Sequence, residues 1–362
     1  QELETWHDRI RETILSHLPL DIVKNLHHRI AAVLELAVRN ENHKDINAVS
    51  ETSLAATTTF EDAAAVCLNE QFSKRVFDLV YHFDVAGDSM QALPYAVAMA
   101  DQARAQYALE IAERLYRIAE RGAEMADHAT QYKIAENLGD ILMLRGRYPD
   151  AAIRFQSALV WTSDILKRAQ VEGKLGELAF KQGDIGQAIK ASENALELLG
   201  RKVPRSAFLL HVHLLRELSI QLLHTMFPAW FLARQPLESV EQQLLNIRLD
   251  NRLCYAYWFG RGKTPCLWIQ LRAMNLAECY PPTRELARAY SIHTPVMSLL
   301  AFFDRGITYA QHARNIYKNL GDLQGEGTAL HYNGLVLYVA ARYEECIEKC
   351  GEAVQILERA GD

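Results

Sequence analysis

Residues 136–159 read ENLGDILMLRGRYPDAAIRFQSAL, and residues 173–196 read GKLGELAFKQGDIGQAIKASENAL. The two stretches are one pattern written twice. Leu138-Gly139 answers to Leu175-Gly176, Gly146 to Gly183, Ala151 to Ala188 and Ala158 to Ala195, each pair 37 residues apart (139 to 176, 151 to 188). A third copy, HYNGLVLYVAARYEECIEKCGEAV, runs from His331 to Val354 and places Gly334, Ala341, Cys346 and Ala353 at the same offsets. A fixed period in this range marks an array of helical repeats.

Each offset has a physical reason. The first glycine (139, 176, 334) belongs on the first helix of a pair, helix A, where the second helix, B, crosses so closely that a Cβ would clash. The second glycine (146, 183) ends helix A with positive φ. The small residue twelve places after the first glycine (Ala151, Ala188, Cys346) lets helix B lie against helix A, and Phe155, Ser192 or Cys350 comes next inward. On these residues the pattern resembles the tetratricopeptide repeat. That resemblance implies an all-α, right-handed solenoid of stacked antiparallel helix pairs, in which neighbours share the core that one pair cannot build alone.

Composition narrows the function classes. The net charge is −6, which implies no basic surface for a nucleic-acid partner. The longest apolar runs, such as Met226–Ala233, are too short to span a bilayer. The six cysteines show no CxxC spacing and no secretory leader is visible, so a reducing cytoplasm is the simplest setting. The chain begins with Gln1, and its ending, Ala360-Gly361-Asp362, echoes Gly321-Asp322, where another helix begins; a segment of a longer protein is expected.

Outward from the repeats, helices are expected over 1–40, with Ile22, Leu26, Ile30, Val33, Leu34 and Ala37 at helical spacing. Residues 41–60 read as a polar loop, 61–204 as repeats, 205–282 as irregular, aromatic-rich helical repeats, and 283–362 as a return to the regular pattern. Pro281-Pro282-Thr283 signals a helix start. No stretch alternates with period two for long enough to form a strand.

No motif carries catalysis. Gly260-Arg261-Gly262-Lys263-Thr264 has the end of a phosphate loop, but Tyr257 stands where its first glycine belongs and no buried strand precedes it; an inter-helix turn is expected. Cys346 and Cys350 share a helix face but lack a second ligand pair, and their offsets mark them as small packing residues. His27-His28 and His211/His213 do not share a face within each group. The aromatic run 254–268, CYAYWFGRGKTPCLW, reads either as core or as a ligand pocket.

Two further stretches resemble large bacterial signalling proteins in which an AAA/STAND-type ATPase precedes a tetratricopeptide-like array. His7-Asp8-Arg9-Ile10 with Leu26-His27-His28-Arg29-Ile30-Ala31 is similar to the end of the ATPase module, and Phe77–Phe83 followed by Ala86-Gly87-Asp88 to the first helix of the array. TRELARAYSIH and EKCGEAVQILERAGD also match. The family implies that residues 1–40 close an upstream winged-helix module, and that a Ser/Thr kinase or histidine kinase accompanies the parent. ATP and Mg would then belong to the parent and no cofactor to this segment. His7 would approach the nucleotide phosphate in the intact parent, although Trp6 replaces the usual aliphatic residue; His7-Asp8 also reads as a polar turn.

The expected function is a non-catalytic scaffold that senses a peptide, a protein or another domain of its own polypeptide. Counting helix A from Tyr132, Ala169 and Gly327 puts Lys133, Glu136, Asp140 and Met143, then Gln170, Glu177 and Lys181, then Thr328, His331, Leu335 and Tyr338 on its concave face. The alternative is a small-molecule sensor, with the effector held by the aromatic-rich region 205–280.

Overall fold

The structure, a computed structural model, describes residues 17–47, 70–238 and 240–360. The chain is an all-α solenoid of tetratricopeptide-like helix pairs, and among the described residues there is no strand. It divides into two compact units, Gln1–Thr162 and Ser163–Asp362.

The first unit holds α1 (Leu20–Asn47), α2 (Glu70–Ala86), α3 (Ser89–Ala105), α4 (Leu109–Gly122), α5 (His128–Leu144) and α6 (Tyr148–Val160). Helix α1 runs to Asn47, into the stretch read as polar loop; residues 48–60 lie outside the described residues, as do 1–16. Its apolar stripe also departs from expectation. Ile22, Leu26, Ile30 and Val33 are exposed, while His27, Ala31 and Val38 are buried. Successive pairs in this unit are tied by charge. Buried Glu113 on α4 takes guanidinium hydrogen bonds from Arg117 (2.8 Å), Arg147 (2.6 Å) and Arg145. Burial works to raise its pKa, but the three arginines outweigh burial and hold the carboxyl below its usual value.

The second unit holds α7 (Ile165–Lys181), α8 (Ile185–Leu198), α9 (Ala207–Met226), the short α10 (Pro228–Phe231), α11 (Glu241–Gly260), α12 (Lys263–Glu278), α13 (Arg284–Leu299), α14 (Phe303–Asn319), α15 (Leu323–Val339) and α16 (Tyr343–Ala360). Thr283 caps α13 through a hydrogen bond from the Leu286 amide (3.2 Å).

The close crossing read from the glycines is present. A Cβ on Gly139 would lie 2.6 Å from the Phe155 ring, one on Gly176 2.6 Å from Ser192 Oγ, and one on Gly334 2.5 Å from Cys350 Sγ. Each glycine thus faces the residue sixteen places on (139 to 155, 176 to 192, 334 to 350). Gly146 and Gly183 end their helices at φ 72° and 83°.

The same register extends to pairs that carry no such glycine. Taking Ala100, Cys254 and Thr294 as the crossing residue, helix B starts nine places later at Leu109, Lys263 and Phe303, as it does at Tyr148, Ile185 and Tyr343. The twelfth place is small in all of them: Ala112, Cys266 and Gly306 join Ala151, Ala188 and Cys346. Cys254 and Cys266 touch across the crossing, Sγ to Sγ 3.4 Å. The pair α11–α12 therefore keeps the regular repeat inside the region read as irregular. The departure there is α9 with α10. Gly262, φ 87°, is the turn before α12, so the GRGKT stretch is an inter-helix turn.

Where glycine is missing at the turn, another residue adopts the left-handed conformation: Tyr107, Ala301 and Ala341, each at φ 58°. An L-residue pays about 1–2 kcal/mol there, partly offset by the entropy a glycine loses on folding. Ala301→Gly combined with Ala341→Gly should therefore raise the thermal midpoint of the second unit by about 2–4 °C. A melt in which the double variant is equal or lower would show that these turns are not strained.

Candidate functional site

Along each helix A most of the expected partner-facing residues fall at fixed distances from the crossing residue, and the same distances are held by Phe180, Arg248, Tyr255, Trp258 and Arg288, which were not in the expected set. Position −6 carries Lys133, Gln170, Arg248, Arg288 and Thr328; position +1 carries Asp140, Glu177, Tyr255 and Leu335; position +4 carries Met143, Phe180, Trp258 and Tyr338.

In the first unit most of this set is not available to a partner. Glu136, Asp140 and Met143 are each only 8% exposed. Arg104 on α3 reaches across to α5, bonding Asn137 Oδ1 at 3.0 Å and Asp140 Oδ2 at 3.1 Å. The carboxylate is thereby satisfied inside the repeat stack instead of presented to solvent. Lys133 is exposed and lies 3.4 Å from Asp101. His7 lies outside the described residues.

The second unit is different. Glu177 is half-buried and pairs with Arg252 on α11 at 2.8 Å. Gln170 is half-buried and Lys181 exposed. On α15, Thr328 donates its hydroxyl to the Gln324 carbonyl (2.8 Å), while His331, Leu335 and Tyr338 are exposed. Residues outside the expected set complete this face. Phe180 lies 6.4 Å from the Tyr255 ring and 6.0 Å from that of exposed Phe259. The Tyr255 hydroxyl meets the Tyr332 hydroxyl at 2.9 Å, linking α11 to α15. Burial raises the Tyr255 pKa, so its phenol stays neutral. Exposed Arg288 adds positive charge, and half-exposed Arg248 lies 3.9 Å from Glu285. The run 254–268 thus splits: Cys254, Tyr257, Cys266 and Trp268 are core, whereas Trp258 and Phe259 stay exposed. A period-three-to-four reading of Tyr255, Trp258 and Phe259 places them on helix A, which was the available signal for this face.

Helix α9 inverts the usual amphipathic arrangement. Its buried residues are polar: Glu217, Gln221 and His224. Its exposed residues include the apolar Phe208, Leu215, Leu222 and Met226, beside polar His211, Arg216 and Ser219. Buried polar groups demand partners, and α12 to α14 supply them. Asn275 donates to Glu217 (2.8 Å), Gln221 to Tyr309 (3.2 Å), and His224 Nδ1 lies 2.6 Å from Glu278 Oε2. Tyr290 also donates to Glu278 (3.1 Å). Burial pushes both the Tyr290 and Tyr309 phenols up. Cavities of about 360 and 610 Å³ flank this polar face on its two sides.

Cys346 and Cys350 are half-buried, with sulfurs 4.0 Å apart. No group of three or more His, Cys, Asp or Glu among the described residues could hold a metal ion. No described helix is long and apolar enough to cross a membrane.

No protein-family model matches the chain, and no curated protein matches it in sequence. Solved structures do resemble it. A Rap protein complexed with competence and sporulation factor is 12% identical, with a TM-score of 0.46, over 95% of this chain and 77% of that one. PilF of Pseudomonas aeruginosa is 13% identical, TM-score 0.40, over 83% and 94%. A STAND protein with a tetratricopeptide repeat sensor from Pyrococcus horikoshii is 12% identical, TM-score 0.35, over 79% of this chain and 47% of that one.

Proposed function

We propose that the chain is a non-catalytic interaction scaffold, and that the helix A face of residues 163–362 binds an acidic peptide segment carrying aromatic or aliphatic side chains. One observation carries this reading: exposed Phe259, Leu335 and Tyr338 lie on the helix set that also presents Arg248 and Arg288. Exposed apolar area gives a partner something to bury, and guanidiniums beside it select carboxylates. The segment would come from another protein or from another domain of the same polypeptide. The resemblance of residues 7–10, 26–31 and 77–88 to STAND-type signalling proteins supports a kinase-linked parent ATPase in the cytoplasm. ATP and Mg would be held by that parent, with His7 near the phosphate.

A selection of random peptides against the immobilised chain tests this. Enriched peptides should be acidic and apolar, and Arg288→Glu combined with Tyr338→Ala should weaken them about tenfold or more, equivalent to ~1.4 kcal/mol, without changing the melting temperature. Failure to enrich any sequence, or equal binding to the double variant, would remove the reading.

A further inference from the structure

The smaller cavity beside α9 lies between that helix, α12 and the segment entering α9. Its wall includes Arg201, Lys202, Arg216 and Arg272, with His213 and Trp268. Such a concentration of positive charge is unexpected in a chain of net charge −6.

The carboxylates nearby do not balance it. Asp250, fully buried behind the wall, is shared by two guanidiniums: Arg201 at 3.0 Å, and Arg272 at 3.1 and 2.5 Å. Glu217, on the wall itself, is already held by Arg216 (3.0 Å) and Asn275 (2.8 Å). Four permanent cations therefore face two committed carboxylates. Burial, reinforced by the neighbouring Arg272, lowers the Arg201 pKa despite the attraction of Asp250.

The hydrogen-bonding inventory points the same way. Arg201 Nε and Trp268 Nε1 are buried donors that have no acceptor among the described residues, and Asn275 Oδ1 is a buried acceptor that has no donor. Arg272 stacks on the Trp268 ring at 4.5 Å, which fixes one guanidinium plane against the cavity wall. The volume, about 360 Å³, is in the range of small-molecule sites.

From this cavity we infer that residues 163–362 hold a binding site for a small phosphomonoester that also carries hydroxyl groups, as a sugar phosphate does. The phosphate oxygens take the guanidinium and ammonium hydrogens, and a hydroxyl supplies a donor for the cavity's acceptors. Polar contacts from α9 form one wall, so ligand and helix stabilise each other. This site is separate from the helix A face.

Thermal unfolding at constant ionic strength tests it, with glucose 6-phosphate and pyrophosphate as probes and sodium chloride as the matched control. A ligand that binds only the folded state raises the midpoint in a saturable way. Both probes should do so, and glucose 6-phosphate should act at the lower concentration. Arg272→Met removes a partner of buried Asp250 and is expected to impair folding, so the informative variant is Lys202→Gln. Lys202 is exposed and makes no ion pair among the described residues, so this variant should melt like the parent. Its half-saturating probe concentration should rise on the order of tenfold, the loss of one charge-assisted contact. An unsaturable rise matching that in sodium chloride, no rise at all, or an unchanged half-saturation in Lys202→Gln would overturn the site.

Discussion

Gly122→Ala should be among the most damaging single-methyl additions in the chain. Gly122 ends α4 directly beneath the start of α3, and a Cβ there would overlap the backbone carbonyl of Ser89. Backbone cannot rotate away as a side chain can, so the pair must separate. Overpacking costs about 1–3 kcal/mol where side chains can yield, and more where they cannot. A loss of about 3–4 kcal/mol is expected, or roughly 10 °C in the midpoint of the first unit. Gly139→Ala is a milder case, because its Cβ would meet the Phe155 ring, which can be trimmed. It should cost about 2 kcal/mol alone, and Phe155→Leu should recover part of that loss in the double variant. Melting curves of these variants check the ranking. Gly122→Ala melting within a degree or two of the parent would mean that α3 and α4 are not in this contact.

The second large effect is a dependence of stability on pH. His293 is buried on α13, with Nδ1 2.8 Å from Gln270 Oε1 and its ring edge-on to Tyr309. Nε2 has no partner among the described residues. Burial, reinforced by the Arg305 charge, lowers its pKa to about 3. The unfolded chain binds the proton near the ordinary value of about 6.5. Between those two values the unfolded state binds more protons than the folded one, so stability rises with pH there. The contribution is complete above pH ~6.5 and is lost as pH falls toward 3, at up to about 1.4 kcal/mol per unit. By pH 4.5 the loss should reach roughly 2–3 kcal/mol. His293→Gln keeps a donor for Gln270 but cannot titrate. Urea unfolding of parent and variant between pH 7 and 4.5 should give curves that diverge by that amount; parallel curves would show that His293 is solvated.

Much of this fold is legible in the sequence wherever the crossing residue is glycine. Gly139, Gly176 and Gly334 have no other reason to sit in mid-helix, so their spacing identifies the pairs. Ala100, Cys254 and Thr294 do the same job with side chains that are ordinary in a helix, and Tyr107 and Ala301 make the turn without glycine. Those pairs carry the same register and look diverged. The face of helix A was legible as a set of offsets, but exposure at each offset was not. Asp140 and Leu335 occupy the same position, yet Arg104 covers the first while the second stays 40% exposed. Coverage depends on a side chain from another helix, which no local pattern encodes. Helix α9 was the hardest to read. Its leucines suggest a core helix, while its burial is decided by Asn275, Tyr309 and Glu278, some 55–90 residues away.

A single register underlies the helix pairs, with the crossing residue of helix A against the residue sixteen places later on helix B. In the last pair nature has placed a cysteine at the second position, and a Cβ on Gly334 would lie 2.5 Å from Cys350 Sγ. That separation is close to what a disulfide requires after a small adjustment. With Cys346 changed to Ser to remove the competing thiol, Gly334→Cys should crosslink to Cys350 under mild oxidation, seen as a single linked peptide pair after digestion without reductant. Leu335→Cys in the same background should leave Cys350 unlinked. Crosslinking from position 335 and none from 334 would contradict the register and the array built on it.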